Sequence, residues 1–85
     1  MTRFRIALHI VPRRGILDPQ GKAVADALHS LEFTQVTDVR VGRFIVLDLE
    51  AISADAARTG ARTMCEQLLA NPVTEDFDIA SVEQA

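Results

Sequence analysis

The sequence predicts an α+β fold with strands and helices in the order β-α-β-β-α-β, an antiparallel sheet carrying two helices on one face. Three observations predict it: strict apolar alternation near the N-terminus, two amphipathic segments that each begin on a capping residue, and a β-branched stretch between them.

The first strand runs from Arg3 to Val11. Phe4, Ile6, Leu8 and Ile10 share one face, and Arg3, Arg5, Ala7, His9 and Val11 take the other. Pro12 has no N–H to give to a ladder, so it ends the strand, and Arg13-Arg14-Gly15 form a short basic loop. Asp18-Pro19 then starts a helix: Asp18 is suited to accept from free backbone N–H groups as N-cap, and Pro19 in the first turn loses no useful donor. Val24, Ala27, Leu28 and Leu31 follow at i, i+3, i+4 and i+7 as an apolar stripe. Gly21 lowers helix propensity and so suggests a close backbone approach.

From Val36 to Glu50 β-branched residues return, interrupted by Gly42. Two strands fit, Val36 to Val41 and Arg43 to Glu50, turning at Gly42; one bent strand fits as well. Ile45, Leu47 and Leu49 share a face opposite Phe44, Val46 and Asp48. Ser53 is suited to cap a second helix, with Asp55 in its first turn and an apolar stripe of Ala57, Ala61, Met64, Cys65 and Leu68. Asn71-Pro72 ends it. Glu75 to Val82 alternates again and predicts the last strand. This order is that of the split βαβ, or ferredoxin-like, arrangement, as a single domain over residues 1–85.

Composition narrows the function. Of 85 residues, 48% are hydrophobic, and Trp and Tyr are absent, so aliphatic side chains must build the core. A domain of this size buries only about 60% of its unfolded surface and is often marginal alone. One Cys cannot close an intramolecular disulfide, and two His without a Cys cluster make no structural zinc site. Oligomerisation is the remaining route to stability. On the sheet face away from the helices, Ala7, Val11, Phe44 and Val46 are candidates for self-association.

Nine Lys plus Arg against twelve Asp plus Glu give a net charge of −3, which argues against nucleic-acid binding. Phe44 alone does not supply the stacking aromatics of an RNA-recognition sheet. No stretch approaches the roughly 20 apolar residues of a membrane span, and no signal-peptide pattern opens the chain, so a cytoplasmic protein is expected. Catalytic groups are scarce. His9 and His29 have no acidic residue at a triad-like spacing, and Cys65 lies in an apolar stripe. Asp76 and Asp78 share a strand face but read as a solvated edge. No phosphate-loop, HExxH or CxxC motif occurs, so no catalytic and no metal-binding residue is assigned. The helix start at Asp18, Pro19, Gln20 and Gly21 and the turn at Arg40, Gly42 and Arg43 are candidates for contacts to larger subunits.

The same segments carry a family resemblance. Gly15-Ile16-Leu17-Asp18-Pro19-Gln20-Gly21-Lys22-Ala23-Val24, followed by Ala27-Leu28, resembles the GVLDPQGxAVxxAL segment of the PurS family. Asp38-Val39-Arg40-Val41-Gly42-Arg43 is similar to its DVRVGK segment, and Met64 to Phe77 to its MCxKLLANPVIEDY segment. The departures are Arg43 for Lys, Thr74 for Ile and Phe77 for Tyr. The resemblance implies a PurS-like fold and a non-catalytic small subunit of phosphoribosylformylglycinamidine synthase, a ligase of purine biosynthesis. That enzyme turns formylglycinamide ribonucleotide, glutamine and ATP into formylglycinamidine ribonucleotide, glutamate, ADP and phosphate. The implied partners are a second copy in a homodimer or tetramer, the PurQ glutaminase and the PurL synthetase. The implied role is assembly of those subunits and help with ammonia transfer between them. ATP and Mg would be used by the synthetase partner, with no cofactor in this chain. The alternative is an ACT-like regulatory module of the same α+β order, binding a small molecule.

Overall fold

A computed structural model describes all 85 residues, Met1–Ala85. Strand β1 (Thr2–Pro12) lies in the centre of a three-stranded antiparallel sheet, between β2 (Arg43–Ala51) and β3 (Glu75–Gln84). The alternation of β1 explains this position: Ile6, Leu8 and Ile10 are fully buried and Phe4 nearly so. Across the sheet, Leu8 stands between Ile45 and Ile79, and Ile6 between Leu47 and Val82. A β-bulge in β3, opposite Ala7 and Leu8, inserts Ala80 as an extra residue. The bulge resets the alternation, so Val82 rather than Ser81 pairs with Ile6 and joins the core.

Helix α2 (Ala54–Met64) packs over all three strands. Its Ser53 cap accepts from the Ala56 N–H at 3.1 Å, as the sequence predicts. Ala57, Ala61 and Cys65, spaced four apart, are fully buried against Phe4, Ile6 and Leu8; the two alanines let the helix backbone come close to the sheet. The predicted stripe fails at Met64, 40% exposed, and Leu68, 82% exposed. At Leu68 the cause is a π-helical turn over Cys65–Leu69, closed by the Ala70 N–H donating to the Cys65 carbonyl at 3.0 Å. The wider turn swings Leu68 outward and places Leu69 over the core in its stead.

The α+β class and the antiparallel sheet are those the sequence predicts. Two features of the first half differ. Val36 to Val41 forms no strand, so the sheet has three strands. Helix α1 (Pro19–Ser30) packs only marginally on the sheet, leaving α2 as its one substantial cover. Instead α1 and residues 36–41 fold against each other as an arm. The radius of gyration is 16.2 Å, where a compact chain of this length has one of about 12 Å. The long dimension is 52 Å, whereas the 11-residue β1 spans only about 36 Å, so the arm projects past the sheet end.

Candidate subunit-contact surface

Asp18 organises the arm. One carboxylate oxygen accepts from the Gly21 N–H at 3.0 Å, capping α1, and the other accepts from the Val41 N–H at 2.9 Å. The sequence shows the cap; the second bond, which ties the helix start to a segment 23 residues onward, has no local signal. These N–H groups, that of Gly21 foremost, hold the Asp18 carboxyl below its ordinary value. Gly21 is buried, and a Cβ there would run into the Val39 carbonyl oxygen. At the far end of α1 the Glu32 N–H donates to the His29 carbonyl at 3.0 Å and the Phe33 N–H to the Leu28 carbonyl at 2.9 Å. This is a Schellman cap with Glu32, at φ 75°, in the left-handed position. The His29 Nε2–H then donates to the Val36 carbonyl at 2.8 Å, closing the arm.

Between the loop after β1 and the segment before β2 lies a concavity of about 300 Å³. Arg13, Arg14, Lys22 and Arg40 line it against Asp18 and Asp38. Three of these cations are engaged: Arg13 with Asp76 at 2.9 Å, Lys22 with Asp26 at 3.3 Å, and Arg40 with Asp38 at 3.5 Å. Arg14, not singled out in the sequence beyond its loop, has no partner within the chain. Pro19 and Gln20 are exposed on the rim.

The structure therefore brings Asp18, Pro19, Gln20, Gly21 and Arg40 together on one surface. Gly42 sits at the junction with the sheet, where a Cβ would run into the Ile10 carbonyl oxygen. Arg43 belongs elsewhere. Its guanidinium donates to the Leu69 carbonyl and to Glu75, both at 2.8 Å, and the same Glu75 oxygen accepts from the Asn71 N–H at 2.8 Å. It locks the π-helical turn to the start of β3.

On the uncovered sheet face Phe44 and Val46 are more than half exposed, while Ala7 and Val11 are half-buried. The His9 ring lies 5.0 Å from that of Phe44. A hollow of about 390 Å³ on the opposite side is lined by Arg13, Glu66, Glu75, Asp76 and Phe77, with buried Cys65 in its wall. Burial pushes the Cys65 thiol up, which makes it a poor nucleophile.

A family model described as PurS, phosphoribosylformylglycinamidine (FGAM) synthase, matches residues 5–83. The chain belongs to the PurS family. It is 39% identical over 74 residues to the synthase subunit PurS of Bacillus subtilis, covering 87% of each chain. It is 39% identical over 80 residues to that of Mycobacterium leprae, covering 94% of this chain and 98% of the relative. Among solved structures, PurS of Thermus thermophilus matches with a TM-score of 0.83 and 36% identity over 98% of both chains. A chain of the PurLQS structure from Thermotoga maritima matches at 0.81 and 29% identity over the whole of both chains. The membership disfavours the regulatory-module alternative. Full-length agreement also means that the projecting arm is shared with PurS proteins of known structure. No helix is long and apolar enough to cross a membrane.

Proposed function

We propose that this PurS-family chain is a non-catalytic subunit of phosphoribosylformylglycinamidine synthase, which holds a glutaminase and an ATP-dependent synthetase together and aids ammonia transfer. The full-length likeness to a chain of the PurLQS assembly carries this reading. Ammonia made at one active site must reach another without dilution or protonation, and a rigid adaptor supplies that alignment without side-chain chemistry. The work takes place in the cytoplasm, and ATP with Mg binds to the synthetase.

The contact surface toward the larger subunits is the α1 start with Arg14 and Arg40. The unpaired Arg14 and the exposed helix start favour a complementary acidic partner surface. The chain acts as a homodimer, with the apolar Ala7, Val11, Phe44 and Val46 face open to further association, including a tetramer.

Reconstitution tests the whole reading. Leaving this chain out of the synthase should abolish most glutamine-dependent synthesis and spare synthesis fed with free ammonia. Equal loss of both activities would refute an adaptor role. Arg14→Glu with Arg40→Glu should weaken assembly in a pull-down by about tenfold or more, while unchanged capture would move the contact elsewhere.

A further inference from the structure

Three cations from three separate segments converge on the concavity beside the start of α1, and none of them is well satisfied. Arg14 comes from the loop after β1, Lys22 from the first turn of α1 and Arg40 from the segment before β2. Arg14 has no ion pair within the chain. Lys22 reaches Asp26 at 3.3 Å, but both side chains are well over half exposed. A cation at a helix start is opposed by the helix dipole, and Lys ahead of its acid is the weaker i,i+4 orientation. Arg40 makes only long contacts, 3.5 Å to Asp38 and 3.4 Å to the Pro12 carbonyl. Exposed pairs of this kind add little stability and exchange partners readily.

The two acids of the wall do not cancel this charge. Asp18 gives both carboxylate oxygens to backbone N–H groups, those of Gly21 at 3.0 Å and Val41 at 2.9 Å, and is thereby held at the helix start. Asp38 has half its side chain in solvent and only Arg40 for a partner, so it is free to turn outward. Arg13, the fourth cation of the wall, is drawn toward β3 by Asp76 at 2.9 Å and the Val73 carbonyl at 3.4 Å, and takes no part.

We propose that this concavity binds a phosphate group, either free or carried on a small organic molecule. The guanidinium forks of Arg14 and Arg40 match phosphate oxygens in pairs, and the Lys22 ammonium adds a compact charge from the helix. The backbone adds donors. The Arg13–Ile16 turn is closed by the Ile16 N–H donating to the Arg13 carbonyl at 3.2 Å, and the N–H groups of Arg14 and Gly15 donate to nothing in the chain.

Size and charge limit the ligand. About 300 Å³ holds a pyrophosphate or a sugar phosphate, whereas a chain of net charge −3 repels a long polyanion. Ile16, Ala25 and Val39 make part of the wall apolar, against which a carbon skeleton can rest. The site stands on this geometry alone, apart from the subunit-contact reading. The two are linked all the same: an acidic partner surface would draw on Arg14 and Arg40 as well, so ligand and partner compete for them.

Calorimetric titration of the intact protein with inorganic pyrophosphate tests the site, with potassium chloride at matched ionic strength as the control. Saturable binding with a dissociation constant below about 1 mM is expected, with amide NMR shifts at Arg14, Gly15, Lys22 and Arg40. Arg14→Gln and Lys22→Gln should each weaken it about tenfold with unchanged circular dichroism. Arg58→Gln, on α2 and outside the concavity, should leave it unchanged. Ribose 5-phosphate and inorganic phosphate, titrated in parallel, separate the two sources. Tighter binding of the sugar phosphate assigns the apolar wall to a carbon skeleton, and equal binding assigns the site to free phosphate. No saturation by about 10 mM pyrophosphate, or saturation that survives both substitutions, would overturn the site. If Arg14→Glu with Arg40→Glu lost the larger subunits while the titration failed, the contact surface would stand without an anion site. Pyrophosphate binding that left their capture unchanged would keep the anion site and move the contact elsewhere.

Discussion

Gly21→Ala sets two physical effects against each other, and the structure decides the sign. In an ordinary exposed helix position alanine would stabilise by about 0.8–1.0 kcal/mol, through lower backbone entropy in the unfolded chain. Here Gly21 is in the first turn of α1, buried, with its α-carbon facing the Val39 carbonyl and the Asp18 carboxylate. A Cβ overlaps that carbonyl, which is backbone and cannot rotate away. The arm must therefore open, straining the Asp18 bonds to Gly21 and Val41. Overpacking of this kind costs about 1–3 kcal/mol, and the lost bonds add to it, so a net loss of about 1–2 kcal/mol is expected. For a chain of this length that is a fall in Tm of roughly 5–15 °C if unfolding is cooperative. Amide exchange should localise the damage to α1 and residues 36–41 and leave β1 unaffected, because the arm supports little of the sheet. Differential scanning calorimetry with exchange mass spectrometry reads both. A rise in Tm of about 5 °C, the propensity effect alone, would refute the close approach as the reason for glycine.

Other outcomes follow from single features. Glu32→Gly should stabilise α1 by about 1 kcal/mol, because Glu32 occupies a left-handed position at φ 75° that glycine adopts freely; calorimetry showing a loss would mean the Glu32 side chain has an unseen partner. The Asp18 carboxyl is held below its ordinary 3.8 in the folded chain, so its ionised carboxylate stabilises the arm fully above that value. That stabilisation should fade as pH falls through the lower folded value, and Asp18→Asn should remove this part of the acid dependence of amide exchange in α1 and residues 36–41. Cys65, fully buried with its thiol pushed up, should react with a disulfide reagent at pH 8 at least about 100-fold more slowly in the folded protein than in denaturant; equal rates would place the thiol at the surface.

What could be read from the sequence was what local chemistry determines. The β1 alternation named the buried residues, and Asp18-Pro19 and Ser53 marked both helix starts. The β-branched run from Val36 to Val41 predicts a strand, and the structure has none there. Whether an extended segment finds a partner strand is decided by where the chain goes at Gly42, and that depends on Ile10 from another strand. The same limit applies at Arg43. It looks like one half of a basic turn with Arg40, yet its acceptors, Leu69 and Glu75, lie 26 and 32 residues away. Leu68 kept α-helical spacing on paper, and only the π-helical turn took it out of the stripe. Among the contact candidates, the helix start was visible through its cap, whereas the bond from Asp18 to Val41 that shapes the surface was not.

The bulge at Ala80 bears on how assembly stops. It bends the free margin of β3, and Glu75, Asp76, Asp78 and Glu83 place four carboxylates along that strand. A further strand approaching there would meet a broken hydrogen-bond pattern and the carboxylates of Asp78 and Glu83, which have no ion pair within the chain. The β3 margin is thereby guarded against edge-to-edge pairing with the strand of another molecule.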